Sequence, residues 1–116
     1  MDRNRFCHDV LTIAVETGIG YWAEAQNPKR DPGHGGLYLS IEIKDEEDPE
    51  DPWHLIDETK ITEAINKIIT DDEFPINQRL KADIAGAWAT NDAGMIDCDR
   101  ADVIIQTAAY GEIVFG

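Results

Sequence analysis

The sequence predicts an α+β fold: an antiparallel hairpin or three-stranded sheet with about four helices packed on one face. Three observations carry this. Leu37, Leu39, Ile41 and Ile43 alternate with Tyr38, Ser40, Glu42 and Lys44, the period-two signature of a half-buried strand. Ile61, Ala64, Ile65, Ile68 and Ile69 fill the i, i+3, i+4, i+7, i+8 template of a helix. The chain is 116 residues long, enough for one domain with a true core and too short for two.

The remaining elements follow in order. Residues 4–17 form a first helix, with Phe6, Val10, Ile13 and Ala14 on one face, and Gly18 and Gly20 end it by supplying backbone freedom. Tyr21, Ala23 and Ala25 alternate with Trp22, Glu24 and Gln26 as a strand. Asn27 to Gly36, with two prolines and three glycines, is a loop leading into the strand at 37–44. A short third strand covers Trp53 to Ile56. Thr59 is a candidate N-cap for the helix beginning near Ile61. Pro75 suits the first turn of a third helix, whose stripe is Leu80, Ile84, Ala87 and Trp88. Asn91 to Gly94 end that helix. A fourth starts near Asp99, buries Ala101, Ile104, Ile105 and Ala108, and stops at Gly111. The segment Ile113-Val114-Phe115 is apolar enough to dock on the core. No internal repeat and no domain boundary interrupt residues 1–116.

Charge is the unusual property. Ten Lys and Arg stand against twenty-four Asp and Glu, a net charge of −14 and a pI near 4.3. A chain so acidic is not expected to bind nucleic acid directly or to dock on anionic lipid. Cys7 and Cys98 form no CxxC pattern and read as two thiols, each a small apolar residue on a helix. The N-terminal apolar stretch is too short and interrupted for a signal peptide, and nothing reaches the length of a membrane span. These features point to the cytoplasm.

The acids are concentrated. Asp45, Glu46, Glu47, Asp48, Glu50, Asp51, Asp57 and Glu58 put eight carboxylates in fourteen residues without one Lys or Arg. Pro49 and Pro52 stiffen the run, and Trp53 adjoins it as a contact residue. With those eight acids it makes up the candidate partner-binding set. As surface charges, the acids of the run are expected to add little to stability. A second knot, Asp71-Asp72-Glu73, is a helix-end loop in which Asp72 can cap the next helix. Asp97-Cys98-Asp99-Arg100-Ala101-Asp102 starts like a calcium loop but has alanine near the required glycine. Its acids read better as an N-cap at Asp99 with Asp102 at the third helical position.

No cofactor and no metal are expected. His8, His34 and His54 and the two cysteines lack ligand spacing. Asp31 to Gly36 is glycine-rich yet lacks the lysine and the strand-to-helix setting of a phosphate loop. His34, at the hairpin tip, has no nucleophile marked beside it. No catalytic residue is assigned, and the chain reads as a binding protein, with a paired-carboxylate enzyme the weaker option.

Gly-Ile-Gly-Tyr-Trp at 18–22, Asp102-Val103-Ile104-Ile105-Gln106 and Gly111 to Gly116 resemble small acidic proteins of actinobacteria and their bacteriophages, whose function is unknown. The resemblance spans most of the chain and is weakest in the middle loop. It implies a phage or mobile-element setting, where very acidic proteins inhibit host defence, DNA mimics of the anti-CRISPR and anti-restriction kind among them. The expected function is therefore an acidic interaction protein that inhibits a nucleic-acid-binding defence enzyme by mimicry or occlusion. Its partner would be a basic protein surface. A domain this size is roughly 30 Å across, and duplex DNA of that length carries roughly 18 phosphate charges, comparable with this chain. The alternatives are a small-molecule- or nucleotide-sequestering binding protein, or a phage accessory protein whose charge serves solubility only.

Overall fold

The computed structural model describes residues 3–116, the side chain of His34 excepted. Helix α1 spans Arg3–Ile13, strand β1 Ala23–Asp31, β2 Leu37–Asp45 and β3 His54–Ile56. Helices α2 (Glu58–Thr70), α3 (Gln78–Thr90) and α4 (Cys98–Tyr110) complete the described secondary structure, apart from short turns. The sheet is antiparallel in the order β1-β2-β3. This is the α+β architecture expected.

The pleat of β2 turns Ile41 and Ile43 into the core, opposite Ile56 and His54 of β3. Helix α1 lies against β2, α4 against α2, and α3 against α2. One hydrophobic cluster joins Phe6, Val10 and Leu11 of α1, Ile61, Ile65 and Ile68 of α2, Ile84 of α3, and Ile104 and Ile105 of α4. No described helix is long and apolar enough to cross a membrane.

Several local expectations are corrected. The first helix does not run on to residue 17 in α form. Ala14–Gly18 widen into a π-helical turn, closed by the Ile19 amide donating to the Ala14 carbonyl at 2.9 Å. Gly18 is not left-handed here. A Cβ on it would stand 2.8 Å from the backbone oxygen of Cys98, so glycine is needed for the close approach of this turn to α4.

Strand β1 continues through residues 27–31, which read as loop from their composition. Irregular register between Gln26 and Arg30 absorbs Pro28 and a left-handed Asn27 (φ 52°). An edge strand tolerates both, because its outer hydrogen bonds go to solvent. The connection shrinks to residues 32–36, where Asp31 accepts from the Gly33 amide and Gly35 and Gly36 have positive φ. The side chain of His34 lies outside the described residues.

The caps also move. Asp57, not Thr59, caps α2 by accepting from the Lys60 amide at 3.1 Å. Asn77, not Asp72, caps α3, accepting from Arg79 and Leu80, so Pro75 falls in the turn before the helix. Asp97, not Asp99, caps α4 through the Arg100 amide at 3.0 Å. In each case the helix starts where a short polar side chain has both extended backbone and reach to the orphan amides, and acidity alone does not locate that point. Cys7 is buried as expected, but Cys98 is exposed at the start of α4. Trp88 is only half-buried. It packs edge-on to Phe6 and lies under the Arg3 guanidinium.

Candidate functional site: an acidic and aromatic end of the fold

Two carboxylates organise the end of the molecule where β2 leaves the sheet. The first is Asp102, in the second turn of α4 and only 8 % exposed. Its Oδ1 accepts from Trp22 Nε1 at 2.8 Å and from Gln106 Nε2 at 3.0 Å, and its Oδ2 accepts from the Tyr21 hydroxyl at 2.5 Å. Gln106 lies one turn on and is fully buried; its Oε1 accepts from the Val114 and Phe115 amides, both at 2.8 Å. This docks the C-terminal segment, as its apolar character implied, and stacks Phe115 on Trp22 at 4.5 Å between centroids. Asp102 is therefore not the capping-box acid expected from its spacing. It binds side chains from the turn before β1.

The second is Asp51, at the far end of the acidic run. One oxygen takes the Asp45 amide at 2.9 Å and the Tyr110 hydroxyl at 2.7 Å; the other lies 2.9 Å from His54 Nε2. Burial alone would raise its pKa. The Asp45 amide, His54 and Tyr110 outweigh that and hold the carboxyl below the usual range.

Between these anchors the run is a folded loop. Asp45 accepts from the Glu47 amide and Asp48 from the Glu50 amide, each at 2.9 Å, and the Glu46 amide donates to the Trp22 carbonyl at 2.9 Å. The nine residues expected to contact a partner thus separate by role. Glu46, Glu47 and Glu50 are exposed, Asp48 is exposed but bonds the Glu50 amide, and Asp45 and Asp51 hold the loop's shape. Trp53 is half-buried, with Lys44 Nζ 5.4 Å from its ring centroid. Asp57 is a helix cap, and Glu58 lies 3.2 Å from His8 of α1.

A groove of about 320 Å³ opens beside the loop, lined by Tyr21, Trp22, Asp45, Glu47, Val114, Phe115 and Gly116. Tyr21 is 57 % and Val114 52 % exposed, so the groove sets a ring and an apolar side chain beside the acidic loop. No group of His, Cys, Asp and Glu suited to a metal occurs among the described residues. No protein-family model, curated protein or solved structure matches the chain.

Sequence reasoning missed Tyr21, Gln106, Tyr110 and Phe115 as parts of one site. A signal was present: Asp102 and Gln106 are four apart inside the apolar run 101–105 and its continuation, so both face inward on one helix side.

The tyrosines make the site sensitive to alkali. Partial desolvation, then the Asp102 carboxylate, pushes Tyr21 up to about 12. Burial and Asp51 raise Tyr110 as well. Both folded values exceed the unfolded one near 10, so this stabilisation is intact below pH 10 and is lost as pH climbs through the folded values. Phenolate absorbance should show both tyrosines protonated at about pH 11, with the urea midpoint falling above about pH 10. Tyr21→Phe and Tyr110→Phe should each delete one late step. Ionisation of both near 10 in folded protein would contradict this assignment.

Proposed function

We propose that this chain is an acidic interaction protein that occupies the basic, nucleic-acid-binding surface of a protein partner, and so inhibits it by occlusion or DNA mimicry. The observation that carries this reading is the loop at 45–51. Its exposed carboxylates are held in one shape by the Asp45, Asp48 and Asp51 hydrogen bonds and by two prolines, so they lose little freedom on meeting Lys and Arg. Charge supports it too. The molecule is 36 Å in its longest dimension, and duplex DNA of that length carries roughly 21 phosphate charges, against a net −14 here. The acidic loop beside the groove disfavours the alternative of a nucleotide ligand, which is itself an anion.

The test keeps the anchors and reverses the displayed charges. Glu46, Glu47 and Glu50 carry no described side-chain hydrogen bond, so the triple Lys variant should melt within about 2 °C of the parent. Wild-type protein should capture a nucleic-acid-binding enzyme from host lysate at low salt and release it to excess duplex DNA. The variant should retain roughly tenfold less or lower still. Equal capture by the variant, or a partner that DNA does not displace, would remove mimicry from consideration.

A further inference from the structure

Resting on that reading, we infer that the groove beside the acidic loop receives an arginine side chain of the partner in preference to a lysine. Three features of the groove converge on a planar cation. It offers a ring face: Tyr21 is exposed, and Phe115, backed by the buried Trp22, lies beside it with Val114. Asp45 and Glu47 also line it, and a guanidinium can stack on a ring while bonding an acid edge-on. Two of its lining side chains, Tyr21 and Trp22, donate to Asp102, which is more than nine-tenths buried and otherwise bonded only to the neutral donor Gln106.

Among the described residues no Lys or Arg pairs with Asp102 or lines the groove. The buried charge therefore acts on the groove with no positive charge beside it, and low-dielectric surroundings weaken that field less than water would. The chain already uses the same chemistry within itself. Arg3 lies 3.5 Å from the Trp88 centroid, and Arg30 lies 4.4 Å from that of Tyr38. A lysine ammonium would satisfy the lining carboxylates but would leave the ring face uncovered and give up more hydration.

The probes are blocked tetra-arginine and tetra-lysine peptides, equal in charge, titrated into isotopically labelled protein at roughly 0.15 M salt. The arginine peptide should bind about fivefold tighter, shifting the Trp22 indole and the Val114 and Phe115 amides. Tyr21→Ser should reduce the ratio to about one, whereas Tyr21→Phe, which keeps the ring, should preserve it. Val114→Lys, at an exposed position that leaves Asp102 with all its donors, should abolish the preference even if Tyr21→Ser proves unstable. Equal affinities, or shifts confined to residues 46–50, would overturn the arginine assignment and leave the charge-based function standing. No binding of either peptide would overturn both.

Discussion

Asp102→Ala is expected to destabilise the fold by about 3 kcal/mol, lowering the melting temperature by roughly 12 °C. The variant leaves the Trp22 indole N–H, the Tyr21 hydroxyl and one Gln106 N–H without their acceptor. Each stranded buried donor costs about 1–3 kcal/mol, and release of a buried carboxylate that has no cationic partner offsets part of the sum. Asp102→Asn is the informative companion. It retains an acceptor oxygen for the indole, so its cost should be nearer 1 kcal/mol. Losing the negative charge should also bring Tyr21 down from about 12 towards its ordinary value. Calorimetry and phenolate absorbance on both variants check this. An Asp102→Ala protein as stable as the parent would show that the Trp22–Asp102–Gln106 connection does not hold the C-terminal segment in place.

Asp51→Ala is expected to cost about 2 kcal/mol, although the displayed Glu46, Glu47 and Glu50 of the same run can be replaced at almost none. The carboxylate is the shared acceptor for the Asp45 amide and the Tyr110 hydroxyl and also contacts His54. This cost differs from the expectation that the whole run adds little to stability, because Asp51 is bonded where the displayed acids are not. Acid dependence should follow the same residue. The Asp51 carboxyl sits below its ordinary 3.8 in the fold, and so does that of Asp97, lowered chiefly by the Arg100 amide. The stability they supply is therefore present above about pH 4 and lost as pH falls through the folded values. Asp51→Ala should flatten the acid limb of a stability–pH curve. A limb as steep as that of the parent would place the loss in other acids.

The loop also explains why partner contact and folding are hard to separate by composition. Seven residues, 45–51, contain six acids of similar chemistry. Three of those acids bond loop amides, and the other three point to solvent. The distinction depends on which side chains fold back onto backbone donors, a matter of turn geometry rather than residue type. A scan that neutralises all six together would mix loss of shape with loss of charge.

Much of the fold was legible because it rests on periodicity. The alternation at 37–44 placed β2, and the apolar stripes placed α2, α3 and α4, since a face that must be buried writes its period into the chain. Boundaries were less legible. Composition suggested a loop at 27–36, but sheet pairing carries β1 on through Pro28 to Asp31, because neighbouring strand hydrogen bonds outweigh local propensity at an edge.

Local patterning along the chain was enough for the class of fold, the main helices, the central strand, the net charge and the position of the acidic run. Long-range packing settles which acids are displayed and which are anchors, and makes Asp102 serve Trp22 and Tyr21 rather than its own helix start. The physical reason is range. Helical and strand periods arise between residues a few positions apart, whereas Tyr21 and Asp102 are 81 positions apart and Asp51 and Tyr110 are 59. Hydrogen bonds at such separations form only once burial of the shared core has brought α4, the turn before β1 and the acidic loop to one end of the molecule.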